Sequence, residues 1–197
     1  MYYVLMPKPD ADGNIMGVTY KKDNPRRSWM GGNKFSDDKG SPVFKRAPSV
    51  PIPVTLKEGR ETAPKADYLE APLPLMSKKL LYSLEEAGVN NIDAYPVEVC
   101  DTTGKVVYED YFAVNIVGKV SAADLEKSVY DKNQTDTVIS KSFDSLSINE
   151  DEAMGLMLFR LAENIGVVLV DQQIKDKLDT ENIETIELLE PENIAAL

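Results

Sequence analysis

The sequence predicts an α+β fold, a mixed or antiparallel sheet with short helices. Two observations carry that reading. An 18-residue unit occurs twice, as "LMSKKLLYSLEEAGVNNI" from Leu75 to Ile92 and as "LVDQQIKDKLDTENIETI" from Leu169 to Ile186. Each copy reads as a short capped helix leading into a strand. Strand-like runs elsewhere are joined by turns of hairpin length, as in "YPVEVCDTTGKVVYEDYFAVNIVG", which argues against a doubly wound parallel sheet.

The elements follow in order. Tyr2–Met6 reads as a strand ended by Pro7, then the turn "DADGN". Met16–Tyr20 is a candidate hairpin partner for it. From Lys21 to Pro74 the pattern is irregular. "NPRRSWMGGNKF" and "DDKGSP" carry turn and loop chemistry. "SVPIPVTL" is extended, because Pro51 and Pro53 exclude helix and push their predecessors to β or polyproline conformations.

In the first copy Ser77 has N-cap chemistry, since its hydroxyl can accept from the free N–H groups of the first turn. Leu80, Leu84 and Ala87 fall at helical spacing and Leu81 broadens the stripe. Gly88 is a natural stop, able to take the left-handed conformation without a Cβ clash. In the second copy Asp171 is the cap, Ile174 and Leu178 the stripe, Asn182 the stop. The match needs no gap, and the units 75–97 and 169–189 are expected to be a duplicated helix–strand unit. Helices of about ten residues are marginal alone in water, so each must dock its stripe on neighbouring strands. Between the copies, "VVYEDYFAVNIVG" is strongly β and "DTTGK" joins it to "YPVEV" as a hairpin. Ser121–Tyr130 is expected to be a short helix capped by Ser121. "NEDEAMG" is an acidic turn, and "GVVLV" a buried strand.

Composition divides the chain. Residues 1–66 hold 12 Lys and Arg against 7 Asp and Glu, while residues 67–197 hold 10 against 26. Ten of the twelve prolines precede residue 75. The expected organisation is a basic, Pro-rich segment 1–66, with a strand or hairpin at 2–20, packed on an acidic α+β part 67–197 in one compact unit. The 43% hydrophobic content suffices for a core. Runs such as "VVLV" are too short to span a bilayer. The first residues lack the charged region of a signal peptide. The single cysteine, Cys100, forbids an internal disulfide and suits the cytoplasm.

Residue chemistry excludes much. Without histidine there is no Ser-His or Cys-His pair and no histidine metal site. No phosphate-binding glycine loop is present, and "DADGN" is too short for a calcium loop. The expectation is therefore no catalytic residue, no cofactor and no metal. Lys21, Lys22, Arg26, Arg27, Lys45 and Arg46 lie beside Trp29 and Phe35, a nucleic-acid-like grouping that the acidic remainder opposes; neither nucleic acid nor membrane is expected as a partner. Trp29, Arg26, Arg27 and Arg160 are the candidate partner-binding residues, because Trp and Arg dominate interface hot spots. The structural alternatives are Trp29 as a loop anchor on the core and Arg160 as a strand-end arginine paired with a carboxylate.

Three stretches, "LMSKKLLYSLEEAGVNNIDAYPVEV", "YFAVNIVGKVSAADLEKS" and "LFRLAENIGVVLVDQQIKDKL", together resemble the bacterial Imm11-type family, grouped with the immunity proteins of polymorphic toxin systems. The most specific points are Leu158–Phe159–Arg160–Leu161 and the step from Val170 through Lys175 to Leu178. The resemblance spans residues 67 to 190 and leaves out the basic segment 20–66. It implies a cytoplasmic, non-enzymatic protein that binds a cognate toxin and blocks it, often through an acidic face. A structural or oligomeric interaction protein without a toxin partner is the alternative reading, with homo-oligomerisation left open. A carboxylate-dependent enzyme ranks last.

Overall fold

A computed structural model describes residues 1–20, 29–35, 48–60, 63–131 and 141–196, with Ala195 and Ala196 described by backbone alone. The two repeated stretches form helices with the expected ends. Helix α1 spans Lys78–Glu86, and its cap Ser77 accepts from the Leu80 N–H at 3.2 Å. Helix α2 spans Gln172–Thr180, and the Asp171 carboxylate accepts from the Ile174 N–H at 2.9 Å. Past each helix the chain turns through a positive φ, at Gly88 (107°) and at Asn182 (52°). Asparagine tolerates this region better than other residues with a Cβ, because its short side chain can bond locally.

Each helix sits between two strands. Strand β5 (Leu75–Ser77) precedes α1, and β6 (Ile92–Cys100) follows it. Both pair antiparallel with β7 (Val106–Ile116). Strands β12 (Val168–Asp171) and β13 (Ile186–Leu189) precede and follow α2 and flank β1 (Tyr2–Pro7), both antiparallel to it. In each unit the two strands run parallel with a third strand between them. The third strand of the first unit is its neighbour in sequence. That of the second comes from the other end of the chain.

These units are the centres of two mixed sheets. The six-stranded sheet adds β2 (Val18–Thr19), β3 (Ile52–Leu56) and β4 (Tyr68–Leu69), in the order β2-β3-β6-β7-β5-β4. The five-stranded sheet adds β8 (Lys119–Val120) and β11 (Leu158–Leu161), in the order β13-β1-β12-β11-β8. Strands β9 (Val129–Tyr130) and β10 (Phe143–Ser145) pair separately.

Period-two alternation assigns each face. From the five-stranded sheet, Tyr3, Leu5, Leu158, Val168 and Val170 enter one core, shared with Met76, Val114 and Ile116 of the other sheet. The helices close this shared core with Leu80, Leu81 and Leu84 from α1 and Ile174 and Leu178 from α2. The intervening residues Tyr2, Val4, Phe159, Leu161 and Leu169 build a second core on the far face. Ile52, Val54, Val97, Val99, Tyr111 and Ala113 build a third behind the six-stranded sheet.

Polar bonds fasten one unit to the other beside the shared core. The Asp67 carboxylate accepts from the hydroxyl of Ser77 and from that of Thr185 at 2.6 Å, and the Thr185 hydroxyl accepts from the Asp67 N–H at 2.8 Å. Between the helices Lys177 reaches Glu86 at 3.0 Å.

Two local expectations are corrected. Val18–Thr19 pairs with β3 and not with β1, which already has β12 and β13 on its two sides. Residues 121–130 form no helix. Ala123 bridges Ile148, and the Asp124 carboxylate accepts from the N–H groups of Glu126 and Lys127 at 3.2 and 3.3 Å. A short Asp side chain competes for the backbone donors in this way, and that favours a turn.

Leu84 and Leu178 are buried in the shared core. Leu84→Ala and Leu178→Ala are each expected to cost about 2–5 kcal/mol, the range for emptying a buried leucine site. Denaturant titration checks this; a loss below about 1 kcal/mol would place that stripe outside the core.

Candidate binding surface

Trp29 lies at the start of the segment 29–35, which crosses the six-stranded sheet on its outer side. It is 4% exposed and packs in that sheet's outer core. Phe35 and Tyr95 meet it edge-on, with ring centroids 4.9 and 5.6 Å away. The segment is pinned further along. The Asn115 side chain donates to the Asn33 carbonyl at 2.8 Å, and the Gly118 N–H donates to the Gly32 carbonyl at 2.7 Å. Gly32 has φ +72°, and a Cβ there would lie 2.9 Å from the Gly118 backbone, so only glycine allows the approach. Trp29 is therefore a loop anchor. Arg26 and Arg27 lie outside the described residues.

Arg160 is fully buried in β11, on the face turned to the shared core. Its Nη1 donates to Glu70 Oε1 at 2.8 Å and to the Ile165 carbonyl. The second Glu70 oxygen accepts from the Tyr68 hydroxyl. Burial pushes that phenol well above its ordinary pKa, and Glu70 adds to the shift. Arg160 Nε and Nη2 have no hydrogen-bond partner among the described residues. The pair joins the five-stranded sheet, through β11, to the chain leaving β4 of the six-stranded sheet. Burial withholds both Trp29 and Arg160 from a partner in this conformation.

What is exposed is mostly acidic. Residues 141–192 hold 13 Asp and Glu against 4 Lys and Arg, and one of the four is the buried Arg160. Lys175 is bound by Asp179 at 2.6 Å, and Lys177 by Glu181 at 2.7 Å as well as by Glu86. Most of the basic charge on this side is thus spent internally. Glu150, Asp151 and Glu152 project from the turn before β11, where Met154 is 77% exposed. Among the described residues no cluster of three or more His, Cys, Asp or Glu is placed to hold a metal. No described helix is long and apolar enough to cross a membrane.

Arg160 was open to both readings in the sequence, since a charge inside the apolar run "LFRL" is either a contact or a buried pair. Glu70 and Asp67 gave no such signal. They lie in the Pro-rich run before α1, and their partners Arg160 and Thr185 are far away in the chain.

The fold is α+β, and its exposed chemistry is a charged surface; the described pockets gather no catalytic constellation. The family model for the immunity protein family Imm11 matches residues 1–193. The chain belongs to that family, and the match takes in the basic segment that the resemblance of residues 67 to 190 left out. None of the curated proteins matches the chain.

Glu70→Ala leaves a buried guanidinium unpaired and is expected to cost about 3–5 kcal/mol. Adding Arg160→Met to it removes the stranded charge, so the double variant is expected to recover most of the loss. A double-mutant cycle in urea checks the sign of the coupling. Additive losses would show that the two groups do not depend on each other.

Proposed function

We propose that this protein neutralises a cognate bacterial toxin by direct binding, without catalysis, and that its acidic side receives a basic surface of that toxin. Membership of the immunity protein family supports the role. The observation that carries the mode is the excess of 13 acids over 4 bases across residues 141–192. A face of one sign raises the encounter rate with a partner of opposite sign and disfavours partners of like sign. In this reading the protein acts in the cytoplasm, where Cys100 stays a free thiol.

The direct test uses a candidate toxin drawn from the gene neighbourhood, purified in a catalytically inactive form. The association rate is expected to fall about tenfold or more between low and high salt while the dissociation rate changes little, because ions screen charge over about 8 Å at physiological strength. Stopped-flow or surface kinetics give both numbers. An association rate indifferent to salt removes the electrostatic mode. Absence of binding removes the immunity reading.

A further inference from the structure

Strand β13 is the outermost strand of its sheet. Among the described residues only β1 pairs with it. The register fixes which backbone groups are free. The Lys8 N–H donates to the Thr185 carbonyl at 2.9 Å, so Lys8 and Thr185 form a bonded pair. Bonded and non-bonded pairs alternate in an antiparallel ladder. Met6–Glu187 and Val4–Leu189 are then bonded pairs, and Pro7–Ile186 and Leu5–Leu188 are not. Pro7 agrees, having no N–H to give. Ile186 and Leu188 therefore aim their N–H and C=O groups away from β1, toward the outer edge.

Beside that edge lies a cleft of about 220 Å³ under α2. Leu178, Ile183, Ile186 and Leu188 give it an apolar floor, and Lys8 and Glu187 join its polar rim. Lys175 and Asp179, bonded to each other, stand at its border. The edge itself is acidic, with Glu184, Glu187, Glu190 and Glu192 all exposed on or next to β13.

We infer that the outer edge of β13 is the docking site for an extended, basic strand of the protein's partner, which adds to the sheet and places one apolar side chain in the cleft beneath α2. The inference rests on the reading that the protein captures a protein partner. An added strand takes its affinity from the free backbone groups and its specificity from pockets for alternate side chains. Both are present here. Charge selects the occupant. A second copy pairing antiparallel through Ile186 and Leu188 would set Glu187 opposite Glu187, and like charges directly opposite are destabilising. A strand with Lys or Arg at that position gains instead.

The experiment uses the full-length protein and the same inactivated toxin. Hydrogen exchange of the wild-type complex is expected to slow the Leu188 amide about tenfold or more, since an edge amide becomes a ladder amide. Leu188→Pro deletes an outward N–H and leaves the bonds to β1 in place, a position where an edge strand tolerates proline. It is expected to raise the dissociation rate about tenfold, while Leu188→Ala, which keeps the N–H, changes it less. A complex that forms with the Leu188 amide unprotected overturns the edge site and leaves the immunity reading standing; this measurement holds even where Leu188→Pro fails to fold. A dimer of the protein alone, seen by sedimentation and abolished by Leu188→Pro, overturns the basic partner in favour of a second copy. No complex at all overturns both readings together.

Discussion

Two nine-residue helices are too short to persist in water, and both lean on the same apolar core. That dependence organises the molecule. Each helix closes a parallel strand pair whose central gap must be filled by another strand. For α1 the filler is β7, the next strand along the chain. For α2 it is β1, brought from the opposite end. The five-stranded sheet therefore cannot be completed by residues 67–197 alone. The basic N-terminal part and the acidic remainder share one sheet, whatever their difference in composition.

The joint between the sheets uses two kinds of polar contact. Asp67 ties the cap of α1 to Thr185 in the turn after α2, so the start of one unit fixes the end of the other. Such bonds contribute about 0.5–1.5 kcal/mol each in the net, somewhat more where a carboxylate accepts. Arg160 and Glu70 are a different case. Desolvating a guanidinium is costly, and with Nε and Nη2 unpartnered it is only partly offset. The pair is thus a weak source of stability. It makes the joint specific, because any other packing of β11 against the chain after β4 would leave the buried cation with no anion. Tyr68, held neutral by burial, donates to the same carboxylate without adding charge.

The parts of this fold that were legible in the sequence are those set by local chemistry. Cap, stripe and stop at Ser77, Leu84 and Gly88, and again at Asp171, Leu178 and Asn182, are short-range signals, and they placed both helices. The hairpin of β6 and β7 was readable from Asp101, whose carboxylate accepts from the N–H groups of Thr103 and Lys105 in the turn. Partner choice was not readable. Nothing near Val18 says that β3 is its neighbour and not β1, because pairing depends on what already flanks β1. The segment from Ser121 failed for a related reason: its spacing suits a helix, but the bridge from Ala123 to Ile148 and the Asp124 turn prevail. For the binding surface, Trp and Arg were the natural candidates, yet Trp29 and Arg160 are spent on the interior. Their type marks what can anchor; only the fold decides whether the anchor faces inward.

In the proposed mode of binding, the acidic surface and the sheet edge divide the work of recognition by distance. Glutamates around β13 act over about a Debye length, roughly 8 Å, before any contact is made. The free backbone groups of Ile186 and Leu188 act only within about 3 Å, after desolvation. The first range sets how often a partner arrives in a useful orientation, and the second sets how long it stays. The same glutamates also suppress edge-to-edge pairing between copies of this chain, the usual hazard of an uncovered strand. An acidic edge is closed to itself and open to a basic strand. In the proposed reading, a single arrangement of charge on β13 then serves both to admit the partner and to keep copies of the chain apart.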